Sequence, residues 1–205
     1  MNEDLILASA SPTRARLLAA AGLEFRVEPA AIDEEAVKDT FRVEHRSAID
    51  CAVALAELKA RRMAERHYRA LVIGADQILV CGGMWFDKPT ELGDVRAQLQ
   101  ALRGHTHELA TAACVVQTGM RLWHTVSQPK LTMRRFSDVF LDAYLGEEGA
   151  AVLDSVGAYR LEGRGVQLFE RMEGDYFTIL GFRSLSCSVS CAAVAKSHRN
   201  QRRPP

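Results

Sequence analysis

The chain has 205 residues, 48% hydrophobic and 25% charged, a composition that supports a core of ordinary size in one domain or two small lobes and excludes a disordered chain. Its 26 basic and 26 acidic residues cancel, but Lys196, Arg199, Arg202 and Arg203 crowd the C-terminal end, so the remainder carries about −4 and lacks the basic footprint of a nucleic-acid binder. No run approaches the roughly 18 apolar residues of a membrane span, and Met1-Asn2-Glu3-Asp4 is acidic where a secretory leader is basic, so a soluble, unexported protein with no membrane partner is expected.

In chain order, Leu5-Ile6-Leu7-Ala8 reads as a short buried strand. Ser11-Pro12 opens a helix with apolar Leu17, Leu18 and Ala21, stopped by Gly22. A second strand is expected near residues 24–28, where Phe25 and Val27 alternate with charged neighbours, followed by the acidic run Asp33-Glu34-Glu35. Ser47-Ala48-Ile49-Asp50 resembles a capping box and starts a long helix to about Arg66, with Ile49, Val53, Ala56, Ala60 and Met63 on one face and Lys59 near its middle.

The uniformly apolar Leu71-Val72-Ile73-Gly74-Ala75 predicts a central buried strand that ends on Asp76. Gly82-Gly83 predicts a hairpin before Trp85-Phe86, which read as core. Thr90 is the expected cap of a helix carrying Val95, Leu99 and Leu102, with Gly104 beyond its end. Strands over about 106–117, 120–128 and 129–136 follow, then a helix capped by Ser137-Asp138 and ending near Leu145, then short strands around Gly163, Gly165 and Gly174. Strands alternating with helices first, and a run of strands afterwards, predict an α/β fold with a mixed sheet and helices on its faces, bent into two lobes.

The five cysteines, Cys51, Cys81, Cys114, Cys187 and Cys191, form an odd set without a C-x-x-C pair, which fits reduced thiols in a cytosol. Cys187 and Cys191 lack a neighbouring His or Cys, so no metal site is expected there.

Several residues could carry chemistry. Ser9-Ala10-Ser11-Pro12-Thr13-Arg14 sits at a strand end and a helix start, where free N–H groups, two hydroxyls and a guanidinium make a phosphate cradle; the plainer alternative is a capping serine and a solvated arginine. Asp76, after an apolar strand, could hold a metal or activate water, or simply begin a turn. Asp33-Glu34-Glu35 reads as a solvated loop unless it approaches Asp76, when it becomes a metal-ligand candidate. Lys59 and Lys88 read as surface lysines, and His105-Thr106-His107 lacks an evident third ligand.

Taken together, Leu7-Ala8-Ser9-Ala10-Ser11-Pro12-Thr13-Arg14, Asp33-Glu34, Lys59-Ala60, Ile73-Gly74-Ala75-Asp76, Lys88-Pro89, Leu102-Arg103-Gly104-x-x-His107, Gly157-Ala158-Tyr159 and Glu162-Gly163 followed by Glu173-Gly174-Asp175-Tyr176 stand in the order of the Maf-like nucleotide pyrophosphatases. The chain resembles that family over about residues 4–181. The resemblance implies a mixed twisted sheet with flanking helices, two lobes around a cleft, related to the inosine triphosphatase type. It further implies cytoplasmic hydrolysis of nucleoside triphosphates to the monophosphate and pyrophosphate with Mg²⁺ or Mn²⁺, a house-cleaning role, and a homodimer as candidate assembly. By resemblance Asp76 is the proton acceptor and, with Glu34, a metal ligand; Ser9, Ser11, Arg14, Lys59 and Lys88 bind phosphate.

Three positions depart from the family's most familiar pattern: Thr13 stands for an arginine, Gln77 for a threonine and Glu162 for a glutamine. Gln77 and Glu162 resemble the subgroup acting on 7-methyl-GTP, and a carboxylate can accept from guanine N1–H and N2–H₂. The C-terminus departs as well, because Phe182-Arg183-Ser184-Leu185-Ser186-Cys187 replaces a Gly-Leu-Pro-Leu continuation and a leucine-rich helix. The expected division is therefore a pyrophosphatase domain over 1–181 and a divergent basic tail, a candidate for disorder, over 182–205. The competing reading is a non-catalytic nucleotide-binding regulator linked to cell division or septum formation, against which Asp76 stands.

Overall fold

A computed structural model describes residues 4–182. Leu5–Leu7 (β1) pairs in parallel both with Arg26–Val27 (β2) and with Leu71–Cys81 (β3), Leu7 standing opposite Ile73. Parallel neighbours require crossovers. Pro12–Ala20 (α1) supplies the first, while Glu34–Val43 (α2) and Ala48–Ala64 (α3) lie in the second. The later strands are Met84–Phe86 (β4), Thr106–Gln117 (β5), Met120–Ser127 (β6), Lys130–Met133 (β7) and Phe169–Glu173 (β8). The hydrogen-bonded order is β2-β1-β3-β5-β7-β8, with β4 on β3 and β6 on β5, giving the mixed sheet flanked by helices that the alternation of elements predicts.

The chain divides into two compact units, and both β3 and β5 contribute residues to each. Among the described residues the first comprises 4–77, Thr111–Ser127 and 176–182. Because strand side chains alternate between faces, Leu71, Ile73 and Ala75 share one face of β3, where they pack with Leu7, Leu18, Ala113, Val115 and Phe182. Val72, Gly74 and Asp76 take the other parity, towards α3. There Gly74 is a steric necessity: a Cβ would lie 2.0 Å from the Ala56 carbonyl oxygen and 2.9 Å from the Ala60 Cβ. Helix and strand therefore touch through their backbones. Eight positions of α3 are buried, among them Ala52, Ala56, Lys59 and Ala60, so the lysine lies on the apolar stripe rather than opposite it.

The second unit comprises Ile78–Ala110 and Gln128–Asp175. Its β3–β4 hairpin turns through Gly82 and Gly83, both with positive φ (57° and 82°), the left-handed geometry that glycine accepts without strain. Helices Leu92–Leu102 (α4) and Asp138–Glu148 (α5) belong here, and Val95, Leu99 and Leu102 are fully buried at the expected spacing.

Several expectations are corrected. β3 does not end at Asp76 but runs on to Cys81. The acidic run is not a loop, since Asp33 caps α2 and Glu34 begins it. Glu91, rather than Thr90, is the N-cap of α4, while Thr90 bonds the Asp94 carboxylate through its hydroxyl and its N–H. Ala21 is exposed at the end of α1, and the last segment holds one strand, β8, and a short helix, Tyr176–Ile179 (α6). Phe182, first residue of the expected tail, is fully buried; the rest of that tail, 183–205, with Cys187, Cys191 and the basic end, lies outside the described residues. Cys51, Cys81 and Cys114 are free and buried.

Candidate active site

The end of β1 and the start of α1 form the first part of the site. Ser11 is the N-cap, its hydroxyl accepting from the Arg14 N–H at 3.4 Å, and Pro12 needs no partner for a missing N–H. Ser9 is 5% exposed, and its hydroxyl accepts from the Ser11 N–H and from Arg14 Nη1. Arg14 is not the solvated first-turn residue of the plainer reading. Its Nε donates to the Gly181 carbonyl at 2.9 Å and its Nη1 to Ser9 Oγ at 2.9 Å and to the Ala75 carbonyl at 3.0 Å. Three of the five N–H groups of a guanidinium are thus committed to fixed neutral acceptors, leaving those of Nη2 for a ligand. Burial pushes the guanidinium below its ordinary pKa, an effect opposed by the charges of Asp76 and Glu34.

The second part is a set of alternating charges. The parity of β3 turns Asp76 towards α3, where its Oδ1 accepts from Lys59 Nζ at 2.6 Å, both side chains being 7% exposed. The same ammonium reaches Glu34 Oε1 at 2.8 Å. Glu34 is there because Asp33, accepting from the Ala36 N–H at 3.0 Å, starts α2 one residue earlier. Lys59 is therefore buried and paired, not a surface lysine. Deleting one member of such a buried pair costs about 3–5 kcal/mol, because the other charge is left alone.

Asp76 Oδ2 is buried and has no hydrogen-bond partner among the described residues. An oxygen left in that state costs about 1–3 kcal/mol, and such atoms in folded proteins ordinarily face a water or an ion. Glu34 and Asp76 are hard oxygen donors, and a small divalent cation that keeps several waters and takes phosphate oxygens needs only one or two protein carboxylates. The residues present fit Mg²⁺ or Mn²⁺ on those terms. Among the described residues no group of three or more His, Cys, Asp or Glu could enclose a metal by itself.

Gln77, of opposite parity to Asp76, has its amide nitrogen committed to Thr111 Oγ1 at 2.9 Å and to the Thr178 carbonyl at 3.1 Å. Only the acceptor end of this amide remains for a ligand. Thr13 Oγ1 accepts from Arg16 Nη2 at 3.0 Å. Lys88 and Glu162 belong to the second unit, where both are exposed, Lys88 just after β4 and Glu162 just before the 3-10 turn Arg164–Leu168. The first unit by itself brings together Ser9, Ser11, Arg14, Glu34, Lys59, Asp76 and Gln77.

His107 is no metal ligand in this arrangement. It is fully buried in the second unit, its Nε2 bonded to the Tyr159 hydroxyl at 2.8 Å, and burial lowers its pKa to about 4. Two contributors escape sequence reading: Thr111, one hydroxyl in an apolar strand, and Gly181, which acts through a backbone carbonyl. The only signal for the latter is a glycine inside the apolar run Phe177 to Phe182, and its φ of 91° is a geometry favoured by glycine.

Comparison with known proteins supplies an independent line. A family model described as Maf-like protein matches residues 4–188. A nucleoside triphosphate pyrophosphatase of Granulibacter bethesdensis is 54% identical over 177 residues, 86% of this chain and 90% of the relative. A protein of the same name from Paramagnetospirillum magneticum is 55% identical over 181 residues, covering 88% and 93%. A 7-methyl-GTP pyrophosphatase of Rhizobium meliloti is 46% identical over 181 residues, covering 88% and 91%.

Proposed function

The chain belongs to the Maf-like protein family, and from that membership we propose that it is a hydrolase that cleaves nucleoside 5′-triphosphates to the monophosphate and pyrophosphate. The observation that supports this best is the buried Lys59 between Glu34 and Asp76, with Asp76 Oδ2 left unpartnered. A regulator that only bound nucleotide would need no group placed to take a proton from water. Asp76 accepts the proton of the attacking water, while Lys59 at Oδ1 fixes the orientation of the carboxylate. Glu34 and Asp76 hold Mg²⁺ or Mn²⁺, which when bound supplies charge neutralisation and polarisation of the phosphoryl oxygens.

Ser9 and Ser11 receive phosphate oxygens, with Arg14 contributing Nη2; Lys59 and Lys88 add positive charge for the leaving pyrophosphate. Arg14 is in this reading as much a bracket as a ligand, because it fixes Ser9 to the carbonyl that precedes Asp76.

Substrate choice follows the polarity of the remaining groups. Gln77 presents an acceptor and Glu162 a carboxylate, which suit the N1–H and N2–H₂ edge of guanine and the cationic ring of 7-methylguanine; Thr13 withholds the donors an arginine would bring. We place 7-methyl-GTP or another modified purine triphosphate first, in a cytoplasmic house-cleaning role and as a homodimer. No helix among the described residues is long and apolar enough to cross a membrane. The test is a panel of common and modified triphosphates incubated with Mg²⁺ or Mn²⁺, with products identified and assembly read by light scattering. Monophosphate plus pyrophosphate is expected, and stepwise orthophosphate release through a diphosphate contradicts the reaction.

A further inference from the structure

Buried Arg14, Lys59 and Asp76 and half-exposed Glu34 form a set whose formal charges balance without any ligand. Arg14 and Lys59 are cationic, Glu34 and Asp76 anionic, and the ammonium of Lys59 stands within hydrogen-bond distance of both carboxylates, 2.8 Å from Glu34 Oε1 and 2.6 Å from Asp76 Oδ1. It neutralises the same two acids that would hold a divalent ion. We infer that Lys59 is a resident counter-cation, and that lysine and metal compete for the carboxylate pair, so that loading the site draws Lys59 away from at least one of its acids.

The competition follows from the chemistry of the set. A carboxylate neutralised by a buried ammonium at hydrogen-bond distance has much less attraction left for a second cation, since the two cations repel across the same oxygens and little water screens them. The four groups are neutral as they stand, so a divalent ion added with Lys59 in place leaves an excess of positive charge that only the incoming triphosphate relieves. Asp76 Oδ2, unpartnered and buried, is the oxygen of this acid that Lys59 leaves available to such an ion. Glu34 is the acid that lets go more readily. Its side chain is 43% exposed against 7% for Asp76, so water can replace the lysine there. Lys59 released from Glu34 has N–H donors to give to the phosphates, which makes its contact with the acids and its role towards substrate two states of one side chain. Metal and nucleotide then assist each other's binding, because the anion stabilises the displaced ammonium.

The inference rests on the metal reading, and the two can fail separately. Binding of Mn²⁺ alone, without nucleotide, is followed by the loss of the free-ion electron paramagnetic resonance signal at fixed pH, for wild type, Lys59→Met, Lys59→Gln and Lys59→Arg. Circular dichroism and melting curves establish that each variant is folded. Removing the ammonium should tighten Mn²⁺ binding about ten-fold or more in the Met and Gln variants, even as turnover falls, while Lys59→Arg should stay close to wild type. Adding Glu34→Gln to Lys59→Met should abolish the gain by removing one of the two uncompensated acids. Unchanged or weaker Mn²⁺ binding in both neutral variants overturns the inference, because it makes Lys59 a phosphate ligand or a scaffold only. The metal reading is tested apart from this by wild-type turnover in excess chelator: undiminished hydrolysis there removes the metal and the competition together, whereas metal-dependent hydrolysis with unaltered binding in the variants removes the competition alone.

Discussion

Buried polar clusters around Asp76 in the first unit and around His107 in the second each contain an atom without a hydrogen-bond partner, and the two clusters have opposite electrostatic characters. In the first unit Asp76 Oδ2 lacks a partner, in the second His107 Nδ1 does. Asp76 sits among ions, with Lys59 at 2.6 Å and the charges of Glu34 and Arg14 nearby. His107 sits among neutral rings, bonded to the Tyr159 hydroxyl and flanked by Phe169, with its pKa lowered to about 4 by burial. Burial and an unmet hydrogen bond therefore do not by themselves mark a reactive group. What distinguishes the proposed reactive group is the cations beside it, Lys59 and Arg14, whereas burial holds His107 neutral.

The strongest way to break this contrast is Asp76→Asn. A neutral amide neither accepts the proton nor holds a metal comparably, so turnover should fall by about 10²–10⁴ while the circular dichroism spectrum is kept. A loss of only a few-fold would remove Asp76 from its role.

Next in size is an acid effect confined to stability. The folded pKa of His107, about 4, lies below its unfolded value near 6.5, so the unfolded chain binds more protons between these limits. The corresponding stability is present above pH 6.5 and lost as pH falls towards 4, on the order of 3 kcal/mol in total. Urea melts across that range should show the slope for wild type and lose it in His107→Leu. A His107→Leu enzyme with turnover changed as much as in Asp76→Asn, after correction for the folded fraction, would erase the distinction between the clusters.

A smaller effect concerns selectivity. Glu162→Gln replaces a negative charge with an amide that can also donate, so the ratio of kcat/KM for 7-methyl-GTP over UTP should drop by about ten-fold to a hundred-fold, or about 1–3 kcal/mol. A wild type that already prefers UTP or dTTP, or an unaltered ratio, removes the base assignment and leaves the reaction standing. Smallest is Tyr159→Phe, which takes away one neutral hydrogen bond from His107 and should cost about 1 kcal/mol of stability by denaturant melting, with kcat unaffected.

Much of the site was legible because its residues sit at strand and helix ends with local signals. Ser11-Pro12 caps a helix, and Asp76 interrupts an apolar run. The run misleads about the strand's end because a carboxylate and an amide in succession look like a turn. In the folded chain Lys59 pairs with one oxygen of the first, and Thr111 with two backbone carbonyls takes the amide nitrogen of the second, and the ladder continues to Cys81. Helix α2 was hidden by its acids, although Asp33 at the cap and Val37 and Phe41 four residues apart carried the signal. The bonding of Arg14 was not legible at all. Two of its three acceptors are backbone carbonyls, at Ala75 and at Gly181, the latter 167 residues away, and a carbonyl has no letter in a sequence.

The bare Cα of Gly74 sets how near α3 lies to β3, and Lys59 and Asp76 hang from those two elements within a turn and a pleat of that contact. A methyl group there would act as a shim. It would wedge the helix outward, loosen the core and stretch the lysine–aspartate bond in a single motion. A screen scoring activity alone would consequently group Gly74 with the chemical residues, although it offers no reactive atom. Removing the Ala60 methyl relieves the 2.9 Å contact but not the 2.0 Å approach to the Ala56 carbonyl, so Ala60→Gly should not rescue Gly74→Ala.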